Sequence, residues 1–284
     1  MKVILLGTGC PGVRMNGIKA NASEAIIIDD DILLFDCGRW VSYRLAEAKI
    51  KPWHVNYLFF THVFHFDHMC DFPTLIFSRY LGREGTAWNL WENTKKMSIF
   101  GPNGTKAFSE GVMKAFSVDF RAEIVWKGLN VTDVTGGIIV KSDSWSVLAV
   151  ATTHFSPQGV PSLAYRIDSK EASIVISGDI TWRDSKEENF LHNPNLIQLA
   201  KGVDVFIIDT DDTHTSTEAV ARLLVETKPK TAVLTHLQNP GPLPPRIGET
   251  HPRNWPRNDE LKQMIKTIYD GEVIIGEDLK TIAL

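Results

Sequence analysis

The chain has 284 residues, a formal net charge of −4, and a composition with 43% hydrophobic and 23% charged residues. That composition excludes an intrinsically disordered protein, because disordered chains combine low hydrophobicity with high charge. The acidic balance does not favour nucleic acid as a partner, since binding to a polyanion depends largely on lysine and arginine.

Two further features indicate the cellular setting. No apolar run approaches the length of a secretory signal or a membrane span, so we expect a cytoplasmic protein without a membrane partner. Cys10, Cys37 and Cys70 are odd in number and widely spaced, which argues against a disulfide framework.

The first half of the sequence predicts strands alternating with helices. Short β-rich runs cover residues 2–7, 24–29, 31–38 and 55–62, and a helix with apolar positions i, i+4 and i+7 covers residues 40–50. Residues 70–81 and 105–118 predict helices on either side of a strand at 97–104. Residues 122–151 read as a run of strands.

The second half repeats this plan. Strands are predicted at residues 162–168, 172–179, 203–209 and 231–236, with helices at 216–227 and 258–269, the second of which precedes the final stretch 272–284. The proline-rich stretch 238–258 cannot be helix or central strand and is either a lid or a packed surface loop. Taken together, the pattern predicts an α/β protein with two mixed β-sheets flanked by helices, as one domain spanning residues 1–284.

Four apolar strands each end in histidine or aspartate, in the stretches FFTHVFHFDH, VATTHFS, IVISGD and AVLTHL. Loops that leave a sheet edge position functional groups, so these strand ends can bring their side chains to one rim. Imidazole and carboxylate are the ligands that zinc and similar divalent ions accept. The candidate ligands are His62, His65, Asp67, His68, His154, Asp179 and His236.

These residues, with LLGTGCPG at the start, LLFDCGR, IFGPNG, HTSTEAV and LTHL, resemble the metallo-β-lactamase superfamily, in the branch of ribonuclease Z, arylsulfatase-like enzymes and phosphodiesterases. The resemblance implies an αββα sandwich with a dinuclear metal site, loaded with zinc or alternatively Mn²⁺ or Fe²⁺. In that pattern His62, His65 and His154 hold one ion, Asp67, His68 and His236 hold the other, and Asp179 bridges them.

The His motif departs from the superfamily pattern by one residue. The pattern has one residue between its first two histidines, whereas Val63 and Phe64 separate His62 from His65. His62 can join the site only if the loop bulges by one residue. Otherwise the first metal site is impaired.

His214 and Asp209 are further catalytic candidates by resemblance. In ribonuclease Z-like enzymes a histidine beside a similar HST stretch contacts the scissile phosphate and is oriented by a glutamate, near whose position Asp209 stands. The residues Thr215 to Glu218 also read as a capping box for the following helix.

The resemblance implies a metal-dependent hydrolase in which two ions activate a water-derived hydroxide. Asp67 would orient that water, and His214 would stabilise the developing charge or protonate the departing oxygen. Only 24 residues, 155–178, separate His154 from Asp179, so the tRNA-gripping arm that ribonuclease Z carries there is missing. This predicts a phosphodiester of a small molecule or a nucleotide as substrate, and a homodimer is a further expectation from the resemblance. The alternatives are an arylsulfatase, lactonase or β-lactamase-type hydrolase with the same site, and a metal-binding pseudo-enzyme.

Overall fold

The computed structural model describes residues 1–12, 18–81, 96–119, 121–154, 161–181, 193–211, 215–243 and 253–284. The chain divides into two compact units: Met1–Gly7, Ala20–Thr135 and Asp278–Leu284 form the first, and Thr8–Lys19 and Gly136–Glu277 form the second. The expectation of one domain over 1–284 stays a prediction. No helix within the described ranges is long and apolar enough to cross a membrane.

The first unit is built on a seven-stranded mixed sheet in the order β16-β1-β2-β3-β4-β5-β6. Strands are numbered along the whole chain: β1 (Lys2–Gly7), β2 (Ser23–Ile28), β3 (Asp31–Phe35), β4 (Val55–Phe59), β5 (Met97–Gly101), β6 (Leu129–Asp133) and β16 (Thr281–Ala283). From β3 to β6 neighbouring strands run parallel, so their carboxyl ends meet at one edge of the sheet.

The helices of this unit are α1 (Val41–Glu47), α2 (Phe72–Leu81), α3 (Thr105–Ala115) and α4 (Arg121–Lys127). Helix α4 corrects the prediction that strands begin at residue 122. Ala122 and Val125 are three residues apart, lie on one face of the helix and pack into the core of the unit. The β-branched and aromatic residues of this segment suggested a strand, and tertiary packing overrides that preference.

A row of phenylalanine rings aligns the carboxyl ends of three parallel strands. Phe35, Phe59 and Phe100 stack with centroid distances of 4.8 Å and 5.5 Å and are in register across β3, β4 and β5. Aromatic pairs of this kind stabilise a fold by more than the burial of their surface area alone would. The residues that directly follow these three phenylalanines therefore lie side by side at the carboxyl edge of the sheet.

The second unit also carries a seven-stranded mixed sheet, in the order β15-β12-β11-β10-β9-β8-β7. Its strands are β7 (Gly137–Lys141), β8 (Trp145–Thr152), β9 (Ser162–Ser169), β10 (Ser173–Ile176), β11 (Val205–Asp209), β12 (Thr231–Thr235) and β15 (Glu272–Ile275), and its helices are α5 (Pro194–Ala200), α6 (Thr217–Thr227) and α7 (Asn258–Lys266). The predicted α/β class, with two mixed sheets and flanking helices, is confirmed. Helix α5 was not predicted.

The proline-rich stretch 238–258 contains a two-stranded ribbon of β13 (Gly241–Leu243) and β14 (Arg253–Trp255). Residues 244–252 lie outside the described residues. Trp255 is buried in the core of the second unit, so the described part of this stretch is packed against that unit.

Asp204 fixes the start of β11 against its neighbours. Its carboxylate accepts hydrogen bonds from the backbone N–H and the hydroxyl of Ser173 at 2.7 and 2.8 Å. Lys230 Nζ lies 2.6 Å from the same carboxylate. The hydrogen bond from the Lys230 ammonium, and after it the bond from the Ser173 N–H, together lower the pKa of Asp204 to about 2.

Candidate metal centre

The first unit places four candidate ligands in the loop that follows β4. His62, Asp67 and His68 are buried, and His65 is half-buried. His62 Nε2 lies 3.2 Å from His65 Nδ1, and the ring centroids of His62 and His68 are 4.2 Å apart. Within this unit the imidazoles of His62, His65 and His68 therefore converge, although the motif is one residue longer than the superfamily pattern.

The loop accommodates its extra residue by an unusual backbone conformation at Phe64. Its φ is +74°, in the left-handed region that a bulky side chain rarely adopts, and its N–H donates to Met69 Sδ at 2.9 Å. The chain then returns to an extended conformation at His65 and enters a 3₁₀ turn at Phe66–His68. Strained backbone of this kind is concentrated at functional sites, where the surroundings hold it in place.

Asp36, directly after β3, orients His68. Its buried carboxylate accepts hydrogen bonds from Thr61 N–H at 2.8 Å, Thr61 Oγ1 at 2.7 Å and His68 Nδ1 at 2.7 Å. The last bond leaves His68 Nε2 as the nitrogen that can bind a metal, and this nitrogen lies 3.5 Å from Asp67 Oδ2. Burial raises the pKa of the Asp36 carboxyl, whereas His68 and Thr61 oppose that shift.

The DCG stretch that contains Asp36 also fixes the backbone of the His loop. Cys37 N–H donates to His68 O at 2.7 Å, and Asp71 N–H donates to Cys37 O at 3.0 Å. A methyl group at Gly38 would lie 2.1 Å from Asp67 O, a distance that real Cβ atoms do not tolerate. Glycine is therefore required for the close approach of the two loops.

In the second unit the candidate ligands follow strands whose carboxyl ends lie at one edge. Asp179 follows β10, Asp209 ends β11 and His236 follows β12, and these three strands are parallel neighbours. His236 Nε2 lies 3.5 Å from Asp179 Oδ1, and His236 Nδ1 lies 3.4 Å from Asp209 Oδ1. The φ of His236 is +56°, so this histidine too is held in an unusual backbone conformation.

His154 follows β8, and its segment is tied to the one that carries Asp179. Thr181 N–H donates to Thr153 O at 2.8 Å, and Ser162 Oγ donates to Asp179 O at 3.5 Å. His154 is buried. The strand ends that carry His154 and Asp179 are thus joined by hydrogen bonds within this unit.

Asp211 is a further residue beside the candidate ligands, and sequence reasoning missed it. Its Oδ2 lies 3.6 Å from His236 Nδ1, its Oδ1 accepts a hydrogen bond from Gln238 Nε2 at 3.1 Å, and its N–H donates to Asp209 Oδ1 at 2.8 Å. His236 thus faces two buried carboxylates through Nδ1. Asp36 was missed as well; its one sequence signal is its position directly after β3, as the first residue of the DCG stretch.

His214 lies outside the described residues, so its catalytic role stays a prediction. The predicted capping box beginning at Thr215 is wrong by one residue. Ser216 is the N-cap of α6 and accepts a hydrogen bond from Ala219 N–H at 3.2 Å. Thr215 Oγ1 instead donates to Ile180 O at 2.5 Å, which anchors the chain next to His214 to the segment that carries Asp179.

The fold is shared with solved structures of the metallo-β-lactamase class, which is an αββα sandwich. The metallo-β-lactamase fold protein YhfI from Bacillus subtilis has a TM-score of 0.73, with 19% identity over 99% of this chain and 98% of that one. Human tRNase Z, short form, has a TM-score of 0.70, with 18% identity over 100% and 99% of the two chains. At these identities the two structures show the shared fold, and the predicted metallo-β-lactamase fold is confirmed.

Residues 1–249 match the family described as Anti-Pycsar protein Apyc1, and the chain belongs to that family. The chain is also 25% identical over 296 residues to Ribonuclease Z from Mycolicibacterium gilvum, covering 99% of this chain and 96% of the relative. That enzyme is named for RNA, which disagrees with the expectation that nucleic acid is not a partner. The His and Asp groups are compatible with divalent metal ions.

Proposed function

We propose that the chain hydrolyses a small-molecule phosphodiester with the help of two divalent metal ions, zinc being favoured. The proposal assigns His62, His65 and His154 to the first ion, Asp67, His68 and His236 to the second, and Asp179 to a bridge between them. This assignment follows the His and Asp groups that are compatible with metal binding. Its main support is that Asp36 orients His68 through a hydrogen bond to Nδ1, and that Nδ1 of His236 in the other unit also lies close to buried carboxylates.

The donor set fits zinc chemically. Imidazole nitrogens and carboxylate oxygens suit zinc, whereas an all-oxygen set would suit magnesium or calcium. Metal-binding histidines usually direct their other nitrogen at a carboxylate, which fixes the tautomer. Asp36 does this for His68 at 2.7 Å, and Asp209 lies 3.4 Å from the corresponding nitrogen of His236.

Two bound ions would lower the pKa of a water molecule and polarise the phosphoryl group of the substrate. The chain's own residues supply the remaining chemistry. Asp67 accepts a hydrogen bond from the attacking water and so sets its direction. Asp36 keeps the proton of His68 on Nδ1. We assign the protonation of the departing oxygen to His214, with Asp209 supporting the loop through its bond to Asp211 N–H.

A small substrate is favoured over tRNA by how the chain uses residues 155–178. The strands β9 and β10 occupy most of this interval as ordinary members of the sheet, and residues 155–160 lie outside the described residues. Little chain remains there for a substrate-gripping arm. The net charge of −4 also gives no general attraction to RNA. A homodimer and a cytoplasmic location stay predictions.

The alternative of a pseudo-enzyme with an impaired first site is disfavoured by one observation. His62 Nε2 lies 3.2 Å from His65 Nδ1, so the lengthened loop does not turn His62 away from its partner. A sulfate ester, lactone or β-lactam substrate would use the same site, and only turnover can separate these classes.

The test is hydrolysis by metal-free protein and by protein reconstituted with Zn²⁺, Mn²⁺ or Fe²⁺. The substrates are bis-p-nitrophenyl phosphate, a nucleoside 3′,5′-cyclic monophosphate, a precursor tRNA, p-nitrophenyl sulfate and a lactone. We expect metal-dependent turnover of the small phosphodiesters above all others. Faster cleavage of the sulfate, the lactone or the tRNA would overturn the substrate assignment.

His62→Ala should remove about one bound ion and most of the activity. His54→Ala, in the exposed 3₁₀ turn Pro52–His54, is the matched control, because His54 is not among the proposed ligands. An unchanged metal content in His62→Ala would show that His62 is not a ligand.

A further inference from the structure

A buried network of polar side chains lies on the Nδ1 side of His236. Asp209, Asp211 and Gln238 form it, and all four side chains are buried. His236 Nδ1 lies 3.4 Å from Asp209 Oδ1 and 3.6 Å from Asp211 Oδ2, and both distances are longer than an ordinary N–H···O hydrogen bond. The two carboxylates therefore face the same ring nitrogen, and their other bonds distinguish their roles.

The carboxylate of Asp209 is held by backbone groups. Its Oδ1 accepts a hydrogen bond from Asp211 N–H at 2.8 Å, and its Oδ2 accepts one from Ile180 N–H at 3.3 Å. The backbone N–H of Asp209 donates to Ser177 Oγ at 3.0 Å. Asp209 thus ties the end of β11 to the segment that carries Asp179, and both of its oxygens serve this connection.

The carboxylate of Asp211 is oriented by a side chain instead. Gln238 Nε2 donates to Asp211 Oδ1 at 3.1 Å, and the second oxygen, Oδ2, is the one that faces His236 Nδ1. Gln238 lies two residues after His236, so one loop supplies both the imidazole and the amide that orients the carboxylate. Between them, Leu237 N–H donates to Thr8 O at 2.7 Å and fixes the backbone of this loop. Buried networks of this kind hold one geometry more firmly than isolated bonds do.

We propose that Asp211 and Gln238 are a positioning pair for His236. Asp211 accepts the proton of His236 Nδ1, which leaves Nε2 to bind a metal, and Gln238 keeps the accepting oxygen in place. Asp209 remains the residue that connects the strand ends. The inference rests on the proposed function only in taking His236 as a metal ligand.

The test measures the affinity of each variant for Zn²⁺ by competition with a chromophoric chelator. Asp211→Asn should weaken the binding of one ion by about 10- to 100-fold. The asparagine oxygen keeps the bond from Gln238 Nε2, so the NH₂ group faces His236 Nδ1 and cannot accept its proton. Gln238→Met removes only the amide donor and should weaken the same ion by roughly 2- to 12-fold, the value of one hydrogen bond.

A double variant separates positioning from a general loss of packing. When Asp211→Asn is combined with Gln238→Glu, the glutamate accepts a bond from the asparagine NH₂ group, and the asparagine oxygen faces His236 Nδ1 again. We expect this double variant to bind Zn²⁺ more tightly than Asp211→Asn alone. In Co²⁺-loaded protein, the shifted NMR signal of the His236 Nδ1 proton should exchange with solvent faster in Gln238→Met than in the wild-type protein.

Asp204→Asn is the matched control, because Asp204 lies at the start of β11, opposite the end that carries Asp209, and its carboxylate is bonded to Ser173 and Lys230. It should lower stability and leave the affinity for Zn²⁺ unchanged. Circular dichroism establishes that each variant is folded.

Wild-type affinity in folded Asp211→Asn and Gln238→Met, or a double variant that binds no more tightly than Asp211→Asn, would overturn the inference. A protein that shows the expected differences in Zn²⁺ affinity but hydrolyses no phosphodiester would contradict the proposed function instead. A wild-type protein that binds no Zn²⁺ would overturn both.

Discussion

Asp36→Asn tests how the buried carboxylate prepares His68 to bind a metal. The asparagine has nearly the same shape and can still accept the hydrogen bond from Thr61 N–H through its oxygen. Its NH₂ group cannot accept from His68 Nδ1, which in the wild-type protein donates to Asp36 Oδ2 at 2.7 Å. An amide donor at that position favours the tautomer with the proton on Nε2, the nitrogen that must be free for the metal.

The expected loss follows mainly from the bond between His68 Nδ1 and Asp36 Oδ2, although Thr61 Oγ1 also loses its acceptor at this oxygen. A hydrogen bond to a charged group contributes about 1.5–3 kcal/mol, which corresponds to a factor of roughly 10 to 150 in an equilibrium constant. Mutations of residues that orient metal ligands typically weaken metal affinity by about 10- to 100-fold. We therefore expect Asp36→Asn to weaken the affinity for the ion that is assigned to His68 by about 10- to 100-fold.

The assay is competition for Zn²⁺ with a chromophoric chelator, at a temperature where circular dichroism shows the variant to be folded. Asp31→Asn is the control, because Asp31 begins the same strand that Asp36 follows and accepts a 3.4 Å bond from Asn56 Nδ2, which is not a candidate ligand. Wild-type affinity for both ions in folded Asp36→Asn would refute the role given to this carboxylate.

Three further predictions concern stability and reactivity. The pKa of Asp204 is lowered from 3.8 to about 2 in the folded protein, so its carboxylate stabilises the fold above about pH 4 and loses this effect as the pH falls toward 2. After allowance for solvent screening, Asp204→Asn should lower the free energy of unfolding in urea by about 1 kcal/mol at pH 7 and by little near pH 2. Gly38→Ala should lower the free energy of unfolding by about 1–3 kcal/mol and weaken metal binding, because the alanine methyl group would clash with Asp67 O. Unchanged unfolding and metal titrations would contradict this. Alkylation of native protein should label Cys70, which is exposed, and spare Cys37, whose thiol pKa is raised by burial; mass spectrometry that finds Cys37 labelled first would disprove the packing.

The sequence predicted the strand ends well because apolar runs that stop at histidine or aspartate are local signals. His154, Asp179 and His236 each directly follow such a run or stand within three residues of its end. Helix α4 was missed because its short segment mixes strand-forming residues with a helical spacing that packing alone decides. The role of Asp36 could not be predicted, since it depends on a contact with His68, 32 residues away.

The lengthened His motif shows the same limit. Its spacing indicated that a bulge was needed but did not indicate which residue would form it. The left-handed φ of Phe64 is costly for a phenylalanine, so local preference argues against it. Only the surrounding contacts, including the bond from Phe64 N–H to Met69 Sδ, explain how that conformation is held.

The most direct test of the central claim is elemental analysis of the purified protein, paired with hydrolysis of bis-p-nitrophenyl phosphate by the same sample. We predict two divalent ions per chain, with activity that a chelator abolishes and added metal restores. A folded, reconstituted protein that holds one ion or none, or that hydrolyses the phosphodiester no faster than its metal-free form, would contradict the account.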